Sequence, residues 1–218
     1  MPPKVKFTKD EIVSAAVNVV RESGINALTT RRIAAVLGVS TRPIFTYFNN
    51  MDEVCEEVVQ KSKEIYAAYI EAGLAEEKPF FGFGKQYVRF AADEPELYRL
   101  LFLTPRRDMK NVEGAEIDMV VSSRQRARES ICRFYHVTEK QADLFFMSMW
   151  LVAHSIATLS VTDMYHFSVE ETEKLFIRFS LSICKAMKEI PDFTEKTLDS
   201  DKIFKMLIMG EAVDGKDY

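Results

Sequence analysis

Glycine and proline are scarce in this chain, with eight and seven among 218 residues. Since both residues interrupt helices, their scarcity favours long helical segments. Stretches in which apolar and polar residues alternate are also few. Apolar residues instead recur at spacings of three and four along most of the chain, which is the period of an amphipathic helix. The sequence therefore predicts an all-α protein.

Cysteines and membrane signals are equally sparse. The three cysteines are far apart and odd in number, which argues against a disulfide framework and fits a reducing compartment. Their spacing matches no zinc motif, so neither a metal nor another cofactor is expected. No apolar run approaches the ~20 residues of a membrane span, and the basic first residues precede no apolar signal region. A cytoplasmic protein without a membrane partner is predicted.

Charge is distributed unevenly along the chain. Residues 1–50 contain seven Lys and Arg against three Asp and Glu, a net charge of +4, so the remaining residues carry −8 of the total of −4. A basic amino-terminal head on an acidic body indicates that only the head contacts a polyanion such as DNA.

Two short helices are predicted early in the head. Thr8 caps a first helix that runs to Gly24, and either Thr29 or Thr30 caps a second helix that ends at Gly38. The start and the end of each helix follow from the residue types, because threonine accepts hydrogen bonds at helix starts and glycine adopts the left-handed conformation at helix ends.

A third helix is predicted to begin after Ser40, with Pro43 in its first turn and with Ile44 and Phe48 facing inward. Two helices joined by a tight turn in a basic segment form a helix-turn-helix, whose second helix enters the major groove of double-stranded DNA. The candidate DNA contacts are Thr30, Arg31, Ser40, Thr41, Arg42, Phe45, Thr46 and Tyr47.

Different roles are expected for these residues. Arg42 forms bidentate bonds to guanine and the Thr41 methyl group meets a thymine methyl, whereas Thr30, Arg31 and Tyr47 contact phosphates, as does Thr46. Spacing alone leaves an alternative open, in which the segment belongs to an ordinary bundle with Phe45 in the core and Arg42 as a solvated surface group.

A longer motif extends this interpretation. Residues 8–54 combine Gly24-Ile25, the run from Leu28 to Ala34, Leu37-Gly38-Val39-Ser40 and Phe45-Thr46-Tyr47-Phe48. This pattern resembles the amino-terminal domain of the TetR family of regulators. The resemblance implies a homodimer that binds a palindromic operator, usually as a repressor, and that releases it when a small molecule enters the carboxy-terminal domain.

Three positions depart from the family pattern. The family often has Tyr where Phe45 stands and Lys where Met51 stands, and both commonly contact phosphate. A frequent Gly early in the reading helix is Arg42 here, a larger group that changes which bases are read.

The body is predicted to be a helical bundle. Three domains follow: residues 1–52 as the DNA-binding head, 53–191 as the ligand-binding and dimerisation domain, and 192–218 as a tail with a candidate short helix over 202–209. The predicted helices of the body span roughly 52–73, 79–93, 95–103, 113–135, 138–162 and 168–189.

A second, looser resemblance concerns the body. The segment from Phe90 to Phe102 and the segment from Trp150 to Ser155, which includes His154, look like the TetR-family regulatory domain named for its Trp, His and Gly motif, with Ser155 in place of the Gly. The candidate ligand-binding residues are Tyr87, Phe90, Tyr98, Phe102, Met147, Trp150 and His154. The same residues also suit a solid core, and both interpretations stay open.

The last two predicted helices carry apolar residues on more than one face, which one chain cannot bury alone. Pairing with a second copy in a four-helix interface solves this and predicts a homodimer that presents two reading heads to DNA.

Three functions are weighed against each other. The first is a regulator controlled by an unidentified small-molecule effector, and the second is a constitutive DNA binder. The third, a small-molecule enzyme with an appended helical pair, lacks a nucleophile, histidine and acid set. Its clustered acids Asp93, Glu94 and Glu96 stand in a proline-containing turn that reads as a solvated loop. The prediction is therefore a regulator and not an enzyme.

Overall fold

The computed structural model describes residues 7–104, 118–190 and 193–194. Within these ranges the chain forms eight α-helices and no strand, which confirms the predicted all-α class. The helices are α1 Lys9–Ser23, α2 Thr30–Leu37, α3 Met51–Leu74, α4 Pro79–Asp93, α5 Pro95–Tyr98, α6 Asp118–Tyr135, α7 Glu139–Val161 and α8 Val169–Glu189.

The helix boundaries agree with the predicted ones to within a few residues where the structure describes them. The segment predicted as one helix over 95–103 is instead the four-residue α5 followed by a π-helical turn, Arg99–Leu103. The predicted start of α6 at 113 and the candidate helix at 202–209 lie outside the described residues.

The capping signals at Thr8, Thr29 and Gly38 are confirmed. Gly24 ends α1 as predicted, but with φ 75° and ψ 170° it is not in the left-handed helical conformation that was expected. The Thr8 side chain accepts a hydrogen bond from the Glu11 amide, and the Glu11 carboxylate accepts one from the Thr8 amide. Thr29, rather than Thr30, caps α2 by accepting from the Arg32 amide. Gly38 ends α2 in the left-handed conformation, with φ 66° and ψ 35°.

The prediction of a third α-helix after Ser40 is wrong. The segment forms only a 3₁₀ turn, Ile44–Thr46, in which the Ile44 amide donates to the Thr41 carbonyl at 3.2 Å. Pro43 contributes no amide donor, and the next helix already begins after its Asn50 cap, so few residues remain for a hydrogen-bonded α-helical ladder. The inward direction of Ile44 and Phe48 is nevertheless confirmed, since both are buried.

The long helix α3 connects the head to the body. Its first turns carry buried Val54 and Val58 and pack against α1, where Lys9 pairs with Glu57. Its later turns carry buried Tyr66 and pack against α4. One continuous helix therefore contacts both the head and the body.

Helices α3 and α4 approach each other at a pair of glycines. A Cβ atom added to Gly73 would lie 2.5 Å from the backbone carbonyl oxygen of Gly82 and 2.8 Å from the amide nitrogen of Phe83. A Cβ on Gly82 would likewise meet the backbone carbonyl oxygen of Gly73. The two backbones thus touch where neither residue has a side chain.

Helix α7 is the most apolar element. Its 23 residues have a window of mean hydropathy 1.7, which by length and composition is enough to cross a membrane. The prediction that no apolar run approaches the length of a membrane span was therefore wrong, judged by length and composition. A core helix of a soluble protein passes the same test, and α7 packs against α4, α6 and α8. Of the residues in that window, 39% are buried within the single chain and most of the others are half-buried, while Leu151 is a large apolar side chain that remains exposed.

Candidate functional site

The helix-turn-helix displays its predicted contacts at the surface of the head. Arg31, Ser40, Arg42, Phe45, Thr46 and Tyr47 are exposed, and Thr30 and Thr41 are half-buried. Phe45 is 52% exposed, which contradicts the alternative in which it is a core residue. Burial of Ile44 and Phe48 on the inner side of the turn fixes this outward direction.

Free positive charge lies on the same surface. Among the described residues, Arg31, Arg32 and Arg42 make no ion pair, whereas Lys9 and Arg21 pair with Glu57 and Glu94. Arg31 and Arg32 stand in the first turn of α2, where backbone amides and the helix dipole favour an anion. This arrangement suits contacts to DNA phosphates.

Tyr47 has a structural contact that the sequence did not reveal. Its hydroxyl donates a hydrogen bond of 3.0 Å to the Phe7 carbonyl, which ties the turn to the segment before α1. A hydrogen bond from this hydroxyl to phosphate therefore requires exchange of the Phe7 contact. Met51, at a position where the family often has Lys, opens α3 and packs half-buried against the core.

The predicted ligand residues of the body gather largely in one aromatic cluster. Tyr87, Phe90 and Tyr98 are buried, and the Tyr98 ring lies 5.0 Å from Phe102 and 6.0 Å from His154, centroid to centroid. The Trp150 ring stacks on His154 at 4.9 Å with an interplanar angle of 19°. Met147 is half-buried, one turn before Trp150 on α7.

His154 is the polar centre of this cluster. Its Nδ1 lies 3.0 Å from the Tyr87 hydroxyl and 2.9 Å from the Tyr98 hydroxyl. The Tyr98 hydroxyl also lies 2.9 Å from the Thr158 hydroxyl, a partner that sequence reasoning missed. Burial lowers the pKa of His154 and raises the pKa of Tyr87 and of Tyr98. The network is therefore built from neutral groups at pH 7.

Trp150 adds one polar atom that the network does not satisfy. Its indole Nε1 is buried and has no hydrogen-bond partner among the described residues. The pKa of Tyr87 is raised mainly by burial, and Trp150 opposes only a small part of that rise. The direct ring contacts of the cluster favour packed core at this point. Two open cavities lie elsewhere, one of about 300 Å³ between α3 and α6 and one of about 280 Å³ between α7 and α8.

A bidentate ion pair joins the head to the body beside the cluster. The Arg21 guanidinium of α1 donates to both carboxylate oxygens of Glu94, at 2.8 and 2.6 Å. Hydrogen bonding to Glu94 raises the pKa of Arg21. Glu94 directly precedes α5, the short helix that carries Tyr98. The acidic turn expected to be solvated thus supplies a structural contact.

The pH dependence of stability provides a test of the neutral His154. Because burial lowers its folded-state pKa, the unfolded chain binds the proton more tightly, and stability is lost as pH falls below about 6.5. We expect His154→Gln to flatten the decline of unfolding free energy between pH 7 and 5.5, measured by urea titration. His166→Gln, a change at an exposed histidine, is the control and should keep the wild-type slope. Identical slopes for all three proteins would contradict the assignment.

An exposed helix-turn-helix on a larger helical body, with arginines that make no ion pair among the described residues, is typical of a DNA-binding transcription factor. Residues 12–58 match the family described as "Bacterial regulatory proteins, tetR family". Residues 80–180 match "Tetracyclin repressor-like, C-terminal domain". The two segments together cover more than half of the chain, and the protein belongs to the TetR family of transcriptional regulators. It is a regulator rather than an enzyme.

Individual relatives agree with this assignment. An uncharacterized HTH-type transcriptional regulator of Haemophilus influenzae is 31% identical over 72 residues, which cover 33% of this chain and 38% of that protein. The match thus spans little more than a third of that relative's length.

Solved structures are similar over most of the chain. A protein of unknown function from Rhodococcus sp. RHA1 has a TM-score of 0.63 at 18% identity and covers 85% of this chain and 98% of its own. A TetR variant from Acinetobacter baumannii AYE in complex with minocycline has a TM-score of 0.54 at 14% identity, with coverage of 84% and 97%. At these identities the similarity shows the fold alone.

Proposed function

We propose that this TetR-family regulator binds a palindromic operator as a homodimer, represses transcription from it in the cytoplasm, and releases it when a small molecule binds the body. The observation that carries the DNA-binding part is the exposed Arg42, which makes no ion pair within the described part of the chain, beside exposed Phe45. Buried Ile44 and Phe48 hold both outward. A basic head on an acidic body supports the same assignment.

Within this proposal the eight head residues divide by role. Arg42 and Thr41 read bases, because an arginine recognises guanine by two hydrogen bonds and a threonine methyl packs on thymine. Thr30, Arg31, Thr46 and Tyr47 bind phosphates and position the head, while Ser40 opens the reading turn. Phe45 offers an apolar edge to the groove in place of a phosphate contact.

Two arginine substitutions distinguish recognition of bases from binding of phosphates. We expect Arg42→Ala to lose about 1–3 kcal/mol of binding free energy on the selected operator and to relax preference at one base position. Arg31→Ala removes the same charge from α2, so it should weaken all duplexes alike and reduce the salt slope of binding by about one. Fluorescence anisotropy on an operator selected from random duplexes, repeated at several salt concentrations, measures both effects.

These binding measurements decide whether Arg42 recognises bases. Equal losses on every duplex for both variants would remove Arg42 from base recognition. Binding of the wild-type protein without any salt dependence would overturn DNA binding through the basic head.

The homodimer is supported by the uncovered surface of α7 and α8. Leu151, Ile177, Phe179 and Leu181 are large apolar side chains that are exposed in the single chain. Leu151 and Phe179 also line the cavity of about 280 Å³ between these helices. A second copy related by a two-fold axis would bury these side chains.

Effector control is supported by the connection between cluster and head. Tyr98 lies on α5, bonded to His154 on one side and next to Glu94, the partner of Arg21, on the other. A ligand that prefers one position of α5 or α3 would shift the spacing of the two heads. The close packing of the rings favours a second candidate, a constitutive DNA binder. If no metabolite alters the operator affinity in such titrations, the constitutive DNA binder is the correct assignment.

A further inference from the structure

A groove between α3 and α6 has the size and lining of a small-molecule site. Its volume is about 300 Å³, at the lower end of the range for ligand pockets. Its buried floor consists of Tyr66, Ile70, Met119 and Ser123. None of the seven ligand residues predicted from the sequence lines it.

The rim of the groove carries a cation that has no partner among the residues that the structure describes. Glu64 is bonded to Lys61 at 2.9 Å, and Arg126 pairs with Glu71. Lys63 is half-buried at the rim and, among the described residues, makes neither an ion pair nor a hydrogen bond. One positive charge therefore remains to be matched by an occupant.

The floor is apolar apart from two weakly satisfied hydroxyls. Tyr66 is 3% exposed and Ser123 is 4% exposed, and their oxygens are 3.4 Å apart, which is long for such a bond. Both can donate to an acceptor in the groove. The rest of the floor offers apolar contact.

Tyr66 also joins the groove to the aromatic cluster. Its ring packs edge-on against Tyr87, Phe90 and Phe102, with centroids 5.4 to 6.0 Å apart. Tyr66 lies on α3, the helix that reaches the head. An occupant that displaces Tyr66 would thus act on the cluster and on the connecting helix together.

From these features we infer that the α3–α6 groove binds a small amphipathic carboxylate, with its anionic end at Lys63 and its apolar end over Ile70 and Met119. This inference deepens the proposed function by naming the class of effector, and its regulatory meaning rests on that function. A cationic ligand would meet the unpaired ammonium, and a neutral apolar one would leave that ammonium unmatched.

Calorimetric titration of the full-length protein with octanoate tests the site. Octanoate should bind, and both 1-octanol and octylammonium should bind at least tenfold more weakly. Lys63→Gln should weaken octanoate binding about five- to tenfold, because a charge-assisted bond is lost. Ala67→Leu, which places a larger side chain in the groove from a half-buried helical position, should abolish binding without any change of charge.

Lys78→Gln is the matched control, because it removes an exposed lysine that also has no partner among the described residues and does not line the groove. It should bind octanoate as the wild type does. Absence of octanoate binding, equal binding of the three probes, or binding unchanged in both Lys63→Gln and Ala67→Leu would each overturn the inference.

The titration contains no DNA, so its result is independent of operator binding. Operator release by octanoate is measured separately by anisotropy. If octanoate binds through Lys63 but leaves operator affinity unchanged, the binding site is supported and control of the operator by this class of effector is contradicted.

Discussion

Replacing Leu151 and Phe179 together by aspartate is expected to convert the protein into a folded monomer that binds its operator at least a hundredfold more weakly. Leu151 on α7 is 55% exposed and Phe179 on α8 is 45% exposed in the single chain. Both line the same groove between these helices, where the proposed two-fold interface would bury them. Two added carboxylates per copy face their own symmetry mates in such an interface, and buried like charges repel strongly. Loss of the dimer uncouples the two heads, and avidity of this kind contributes about 10²- to 10⁴-fold.

Sedimentation velocity gives the oligomeric state of the double variant, circular dichroism its helicity, and anisotropy its affinity for the operator. Phe134→Asp is the control, since Phe134 is 53% exposed on α6 and lies outside the α7–α8 surface. The control should remain dimeric and bind DNA normally. A double variant that stays dimeric would place the interface elsewhere, and a monomer with full affinity would show that dimerisation is unnecessary for binding.

Gly73→Ala is expected to destabilise the fold by about 3 kcal/mol or more. The new Cβ would lie 2.5 Å from the Gly82 carbonyl oxygen, which is backbone and cannot move aside by changing rotamer. Helices α3 and α4 must separate to admit it, so the contacts between them loosen. The loss of stability equals or exceeds the cost of overpacking a core, which is about 1–3 kcal/mol. The gain in helix propensity of about 1 kcal/mol is too small to compensate.

Urea unfolding of both proteins measures this difference. Gly84→Ala on α4 is the matched control, because the nearest atoms to its Cβ belong to the Phe176 ring, at 3.2 Å, and a side chain can shift. Its stability should stay within about 1 kcal/mol of the wild type. A Gly73→Ala protein as stable as the Gly84→Ala protein would contradict the close approach of the two backbones.

Much of the helical layout was predictable because its signals are local. The Thr8 and Thr29 caps, and the Gly38 end of α2, depend on contacts within four residues along the chain. Thr138 and Ser168 form capping boxes at the starts of α7 and α8 in the same way.

The reading turn shows where local signals fail. Ser40 and Pro43 are typical of a helix start, yet the segment forms a 3₁₀ turn, since α3 begins within a few residues and leaves no room for a longer ladder. The outward direction of Arg42 and Phe45 was predictable all the same, because it requires only that Ile44 and Phe48 be buried.

The sequence by itself determined the all-helical class, the caps, the basic head and the family pattern, because each is carried by neighbouring residues. Only the tertiary structure decided which distant residues meet. Arg21 binds Glu94 across 73 positions, Tyr66 faces Ser123 across 57, and Tyr87 reaches His154 across 67. No periodicity encodes such pairs, because they depend on how the helices cross, and the helix crossings depend on packing such as that of Gly73 against α4.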